Sequence, residues 1–162
     1  MAYLKLQQSR AINVIPEDGI NIPSPSAVSA DGVNESAGDV ITDGSKTFKK
    51  SVKVGDTVYN TTTNHIAIVV SVNDDTEITV SANMFNIGDS YKIFSTVDVR
   101  TEPCVLYVGY VKPDSLAYLT VMTADGDIVT LANPAQGFVL PVQVVRVLKT
   151  GTENVDNIIA LW

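Results

Sequence analysis

The chain has 162 residues, 45% of them hydrophobic and 18% charged, a globular composition with room for one domain or two small β modules. It has no apolar run of about eighteen residues to cross a membrane as a helix, and Met1-Ala2-Tyr3-Leu4-Lys5 lacks the apolar core and cleavage site of a secretion signal. The formal net charge is −7 with scattered Lys and Arg, which argues against nucleic acid, whose phosphate backbone asks for a basic patch; neither nucleic acid nor membrane is expected as a partner, and synthesis in a cytoplasm is.

In chain order, residues 24–38 are small and polar and read as a connection between modules. Lys46, Lys49, Lys50 and Lys53 follow, a solvated strand and turn. Val, Ile and Thr then crowd residues 57–59, 66–72, 77–80 and 91–94, and the polar turns 54–56, 73–75 and 86–89 separate them. The same rhythm returns after Arg100, with strands expected over 104–110, 116–122, 127–131, 139–148 and 158–161. Ala124-Asp125-Gly126-Asp127 is the clearest hairpin turn, because Asp-Gly tolerates positive φ. No stretch of a dozen residues carries the helical apolar spacing uninterrupted. Short strands with polar turns indicate an all-β antiparallel barrel or sandwich.

Residues that could carry chemistry are few. The single cysteine, Cys104, lies in the apolar run Cys104-Val105-Leu106-Tyr107-Val108 and reads as a small buried hydrophobe. The single histidine, His65, sits at a hairpin mouth beside Thr61-Thr62-Thr63 with no second histidine or cysteine pair to build a zinc site. Asp74, Asp75 and Glu77, like Asp125 and Asp127, fit no twelve-residue calcium loop and read as turn carboxylates. Gly109, Gly126 and Gly137 stand alone rather than in a phosphate-cradling loop. No set of nucleophile, base and orienting group assembles, so catalytic residues, cofactor and metal are all expected to be none.

Two distant segments share one association. The first is Ala11-Ile12-Asn13-Val14-Ile15-Pro16-Glu17-Asp18-Gly19-Ile20-Asn21-Ile22-Pro23; the second opens with Cys104-Val105-Leu106-Tyr107-Val108-Gly109 and closes with Leu140-Pro141-Val142-Gln143-Val144-Val145-Arg146-Val147 through Thr150-Gly151-Thr152 to Ile158-Ile159-Ala160-Leu161-Trp162. Together they resemble the small spike-base type of protein from tailed phages and related gene-transfer agents, over about half of the chain. Residues 110–115 and 153–157 depart from that pattern and are expected to be loops. The resemblance implies a β domain on a particle surface with no catalytic role.

If that domain needs both segments, the chain between them is an insertion. The expected organisation is an N-terminal arm (1–10), a discontinuous antiparallel β-sandwich, jelly-roll-like platform (11–39 and 97–162), and an inserted small SH3-like β-barrel module (40–96) with Val52-Lys53-Val54-Gly55-Asp56-Thr57-Val58-Tyr59-Asn60 as its signature. The function that follows is a virion structural subunit, a capsid decoration or cement protein or a head-spike base, assembled as a homo-oligomer, trimer or pentamer, on the major capsid protein or another virion protein. The expected assembly residues are Tyr3, Leu4 and Leu6 of the arm, Tyr107, Tyr110, Leu161 and Trp162. The alternative is a tail or fibre adaptor that binds a receptor or glycan through exposed aromatics, for which Tyr107, Tyr110 and Tyr118 are the candidates.

Overall fold

Alternating apolar residues between glycine- and asparagine-bearing turns produce twelve strands and a single helical turn in the computed structural model, which describes residues 10–96 and 102–162. The strands are β1 (Ala11–Asn13), β2 (Val28–Val33), β3 (Val40–Thr42), β4 (Thr57–Asn60), β5 (His65–Val72) and β6 (Glu77–Val80). They continue as β7 (Ser90–Phe94), β8 (Cys104–Val111), β9 (Tyr118–Thr123), β10 (Ile128–Ala132), β11 (Val139–Val147) and β12 (Val155–Leu161), and the helical turn α1 is Phe48–Ser51. The protein is all-β and antiparallel, consistent with a β-sandwich.

Two compact units form, one from the chain up to Ile22 together with Glu102–Trp162, the other from Pro23–Thr101. Residues 23–39 therefore leave the platform to which the sequence assigned them, and the 24–38 connection is a correction: it contains β2, an edge strand on β7. Val28-Ser29-Ala30-Asp31-Gly32-Val33 has a turn-like Asp-Gly at its centre and little apolar alternation. Its strand conformation comes from the neighbour whose ladder it completes.

The first unit is a sheet of order β1-β12-β8-β11-β9-β10. Cys104, Leu106 and Val108 alternate inward from β8, and meet Leu119, Val121, Leu140, Val144, Ile158 and Ala160 in one buried cluster. β11 changes partners along its length: Val139 and Leu140 pair with β8, Arg146 and Val147 with β9, with register shifts between that bend the sheet. Residues 14–22 cross this bend. Val14 N donates to Ile158 O at 2.8 Å, Glu17 N to Val147 O at 3.0 Å and Ile22 N to Val145 O at 2.9 Å, so the segment runs from β12 to β11 and draws the sheet towards closure. Asp18 fastens it by accepting from Thr150 N (2.9 Å) and Thr150 Oγ1 (2.7 Å), and Arg146 donates to Asp18 O (2.6 Å) and Asn21 Oδ1 (2.9 Å).

The expected loops 110–115 and 153–157 give up their ends to the sheet: Val155 pairs with Val111 and Asp156 with Tyr110. Between these pairs and Ile158↔Val108 lie Gly109 and Asn157, the latter at φ 50°. A Cβ on Gly109 would meet Asn157 O at 2.5 Å, so only glycine lets the kinked strand approach. The inward face changes parity there, from Val108 and Ile158 to Val111 and Val155, all packed on the same core.

The second unit is a sheet of order β2-β7-β4-β5-β6-β3, whose core holds Val58, Val69, Ile78, Tyr91, Ile93 and Phe48. β4 is buried along its whole length: Val58 belongs to that core, and Tyr59 on the opposite face stacks edge-on against Phe94 at 5.3 Å. The lysine cluster, expected as strand and turn, instead includes one helical turn, since Val52 N donates to Phe48 O at 2.8 Å. Phe48 is fully buried while Lys49 and Lys50 face solvent. A single turn is too short to show periodicity in sequence.

Candidate functional site

Several polar residues of the second unit hold turns or tie distant segments together. Asn34 Oδ1 accepts from Ser36 N (3.1 Å) and Thr42 N (2.9 Å), and Asp56 accepts from Lys53 N (2.9 Å) and Thr96 N (3.1 Å). Buried Asn60 donates to Met84 O and to Asp89 Oδ2, both at 2.8 Å, and accepts from Thr62 N and Thr63 N, both at 3.0 Å. Asp89 also accepts from Asn86 N (2.9 Å), and these bonds hold its carboxyl below the usual range. Tyr91 Oη donates to Asp43 Oδ2 at 2.7 Å, with Ser45 N and Oγ on the other oxygen at 2.9 and 2.6 Å. Burial works to raise Asp43, but the Ser45 and Tyr91 bonds outweigh it and its carboxyl is lowered; burial first, then Asp43, raise the Tyr91 phenol. These three donors tie the turn at Ser45 to β7 through one carboxylate.

His65 is exposed, with Nδ1 2.9 Å from Thr63 Oγ1. Cys104 is buried, and burial pushes its thiol up to about 12. Among the described residues no group of three or more His, Cys, Asp or Glu side chains gathers as metal ligands.

A different kind of site emerges on the outer face of the first sheet. Because Cys104, Leu106, Ile158 and Ala160 point into the core, Val105, Tyr107, Ile159 and Leu161 point away from it. The register lays them in two rows: Val139, Tyr107, Ile159 and Asn13 across β11, β8, β12 and β1, and beside it Val105, Leu161 and Ala11 across β8, β12 and β1. Val139 is 44% exposed and the other large apolar side chains of the rows are half-buried. Beyond the Gly109 kink, Tyr110, 38% exposed, extends the strip beside Asp156. The strip is thus an apolar face on the side of the sheet opposite its core.

Tyr107 and Leu161 lie in adjacent rows on that face, with Tyr110 at its end. Trp162 does not join them: it packs against the unit's own core, donating from Nε1 to Glu102 O (3.0 Å) and from its backbone N to Arg10 O (3.1 Å). Tyr3, Leu4 and Leu6 lie outside the described residues. Sequence reasoning missed Val105, Val139 and Ile159. The signal was the apolar residue at every position of 104–108, where a one-sided strand would alternate. Comparison of the chain with protein-family models, with curated proteins and with solved structures finds no match.

Proposed function

We propose that this chain is a non-enzymatic structural protein of a tailed-phage virion, a capsid decoration or head-spike-base subunit that assembles as a symmetric trimer or pentamer on the particle surface. The major capsid protein or another virion protein is its partner. The observation that carries the reading is the outer apolar strip of Val105, Tyr107, Ile159, Leu161 and Val139, since a sheet apolar on both faces calls for a covering surface. The motif resemblance of residues 11–23 and 104–162 supplies the virion context. The use of the second unit's acids and amides in bonds that hold turns and tie distant segments together fits a building block better than an enzyme.

The test is mass measurement by light scattering, with Tyr107→Asp and Ile159→Asp beside the wild type. Contacts through the strip are lost in both variants, which fall below the trimer or pentamer mass while the thermal unfolding of the fold persists. A wild-type chain that is monomeric, or variants that keep its assembly, overturns the proposal. Density for this chain at a fixed particle position in electron microscopy of the virion identifies the partner.

A further inference from the structure

Strand β10 closes the first sheet on one side only: β9 is its sole neighbour among the described strands. Their pairing is regular from Ile128↔Met122 to Ala132↔Tyr118. Val129 and Leu131 face the same way as their partners Val121 and Leu119, which are fully buried, yet Val129 is 45% exposed. Among the described residues the core layer is therefore open at Val129, while Leu131 still packs against the core, and on the other face Ile128 is 59% exposed.

Edge strands are ordinarily blunted by brevity, charge, proline or a bulge. The other edges follow this rule, since β1 and β3 have three residues each and β2 carries Asp31 and a register shift after Val28. Ile128-Val129-Thr130-Leu131-Ala132 has five residues, no charge, no proline and an unbroken ladder. The hydrogen bonds flanking it set its phase: Thr123 N donates to Asp127 O (2.9 Å) and Asn133 N to Ala117 O (2.7 Å). By alternation the N–H and C=O of Val129 and Leu131 face β9, and those of Ile128, Thr130 and Ala132 point to the open edge.

We propose that β10 pairs antiparallel with β10 of a second copy about a two-fold axis at Thr130. This goes beyond the strip assembly and does not rest on it. In that register Thr130 faces the partner's Thr130 and Ile128 faces the partner's Ala132, so the residues whose backbone groups point outward meet as doubly hydrogen-bonded pairs. On the core face the exposed Val129 meets the partner's Leu131, and the two core layers continue into one another. Local charge does not oppose a second copy in this register. Two chains of net charge −7 repel, but Asp127 falls opposite the partner's Asn133 and Asp125 opposite the partner's Ala135, so no two acids of this hairpin meet across the axis.

The test combines amide exchange by NMR with light scattering across a concentration series of the full chain. The amides of Ile128, Thr130 and Ala132 gain protection as concentration rises, whereas those of Val129 and Leu131 are protected throughout. Thr130→Pro deletes the outward N–H and the hydroxyl bond to Thr120 Oγ1 (2.9 Å), leaves the backbone ladder to β9 intact, and halves the mass of any β10-joined species. Val129→Lys, a charge on a partly exposed side chain, does the same and serves if the proline variant misfolds. A wild-type chain monomeric at NMR concentration, or either variant folded with the wild-type mass, overturns the proposal. So does assembly lost on Tyr107→Asp but retained on Thr130→Pro, which assigns the contact to the strip alone.

Discussion

Replacing Gly109 by alanine tests the kink that lets β8 and β12 run on past residue 109. The new Cβ would lie 2.5 Å from Asn157 O and 2.9 Å from Asn157 Cβ, and the carbonyl is backbone, so the strands must part. Overpacking of this kind costs about 1–3 kcal/mol. In a unit of this size each kcal/mol lowers the melting temperature by roughly 4–8 °C, so the first unit melts about 5–20 °C lower. The assay is the fluorescence of Trp162, the chain's single tryptophan, which packs in the first unit and reports its unfolding. Gly19→Ala is the internal control, since its Cβ meets nothing within 4 Å, and it changes stability by no more than about 0.5 kcal/mol. Adding Asn157→Gly removes one clash and leaves the carbonyl, so the double variant recovers only part of the loss. A Gly109→Ala melt within about 2 °C of wild type, where at least 1 kcal/mol of overpacking is expected, refutes the reasoning.

Excising Pro23–Thr101 and joining Ile22 to Glu102 with a short Gly-Ser linker leaves a cooperatively folding first unit, read from β-type circular dichroism and Trp162 fluorescence; a non-cooperative melt counts against two separable units. Cys104 stays unreactive to a thiol reagent at neutral pH in the native protein and reacts at the rate of unfolding, because burial pushes its thiol up to about 12; a fast native-state reaction would contradict its burial. Asp18 has a folded carboxyl held low, first by the Thr150 backbone N–H and then by its hydroxyl. Its contribution is therefore present above the unfolded value of about 4 and is lost as pH falls through the lowered folded value. Asp18→Asn flattens the acid limb of stability against pH, and an unchanged limb would show that the Thr150 clasp contributes nothing.

What the chain makes legible by itself is local. The β-branched runs, the Asp-Gly at 125–126, and the glycines at 55, 88 and 126, which take φ of 94°, 91° and 94°, specify strands and turns within a few residues, because alternation and positive φ are properties of neighbours. The buried place of Cys104 follows from its run in the same way. β2 was beyond such reasoning, since Ser29, Asp31 and Gly32 are poor strand formers held extended by β7. So was Val155–Asn157, polar enough to read as a loop, which β8 takes up only because Gly109 lacks a side chain. The outer strip lay half in view. Residues 104–108 show that β8 is apolar on both faces, but that Tyr107 stands between Val139 and Ile159, residues 32 and 52 positions further on, depends on a strand order no local pattern encodes. Trp162 turned inward for the same reason: the residues it bonds, Arg10 and Glu102, are distant in sequence and are brought to it by the closing of the sheet.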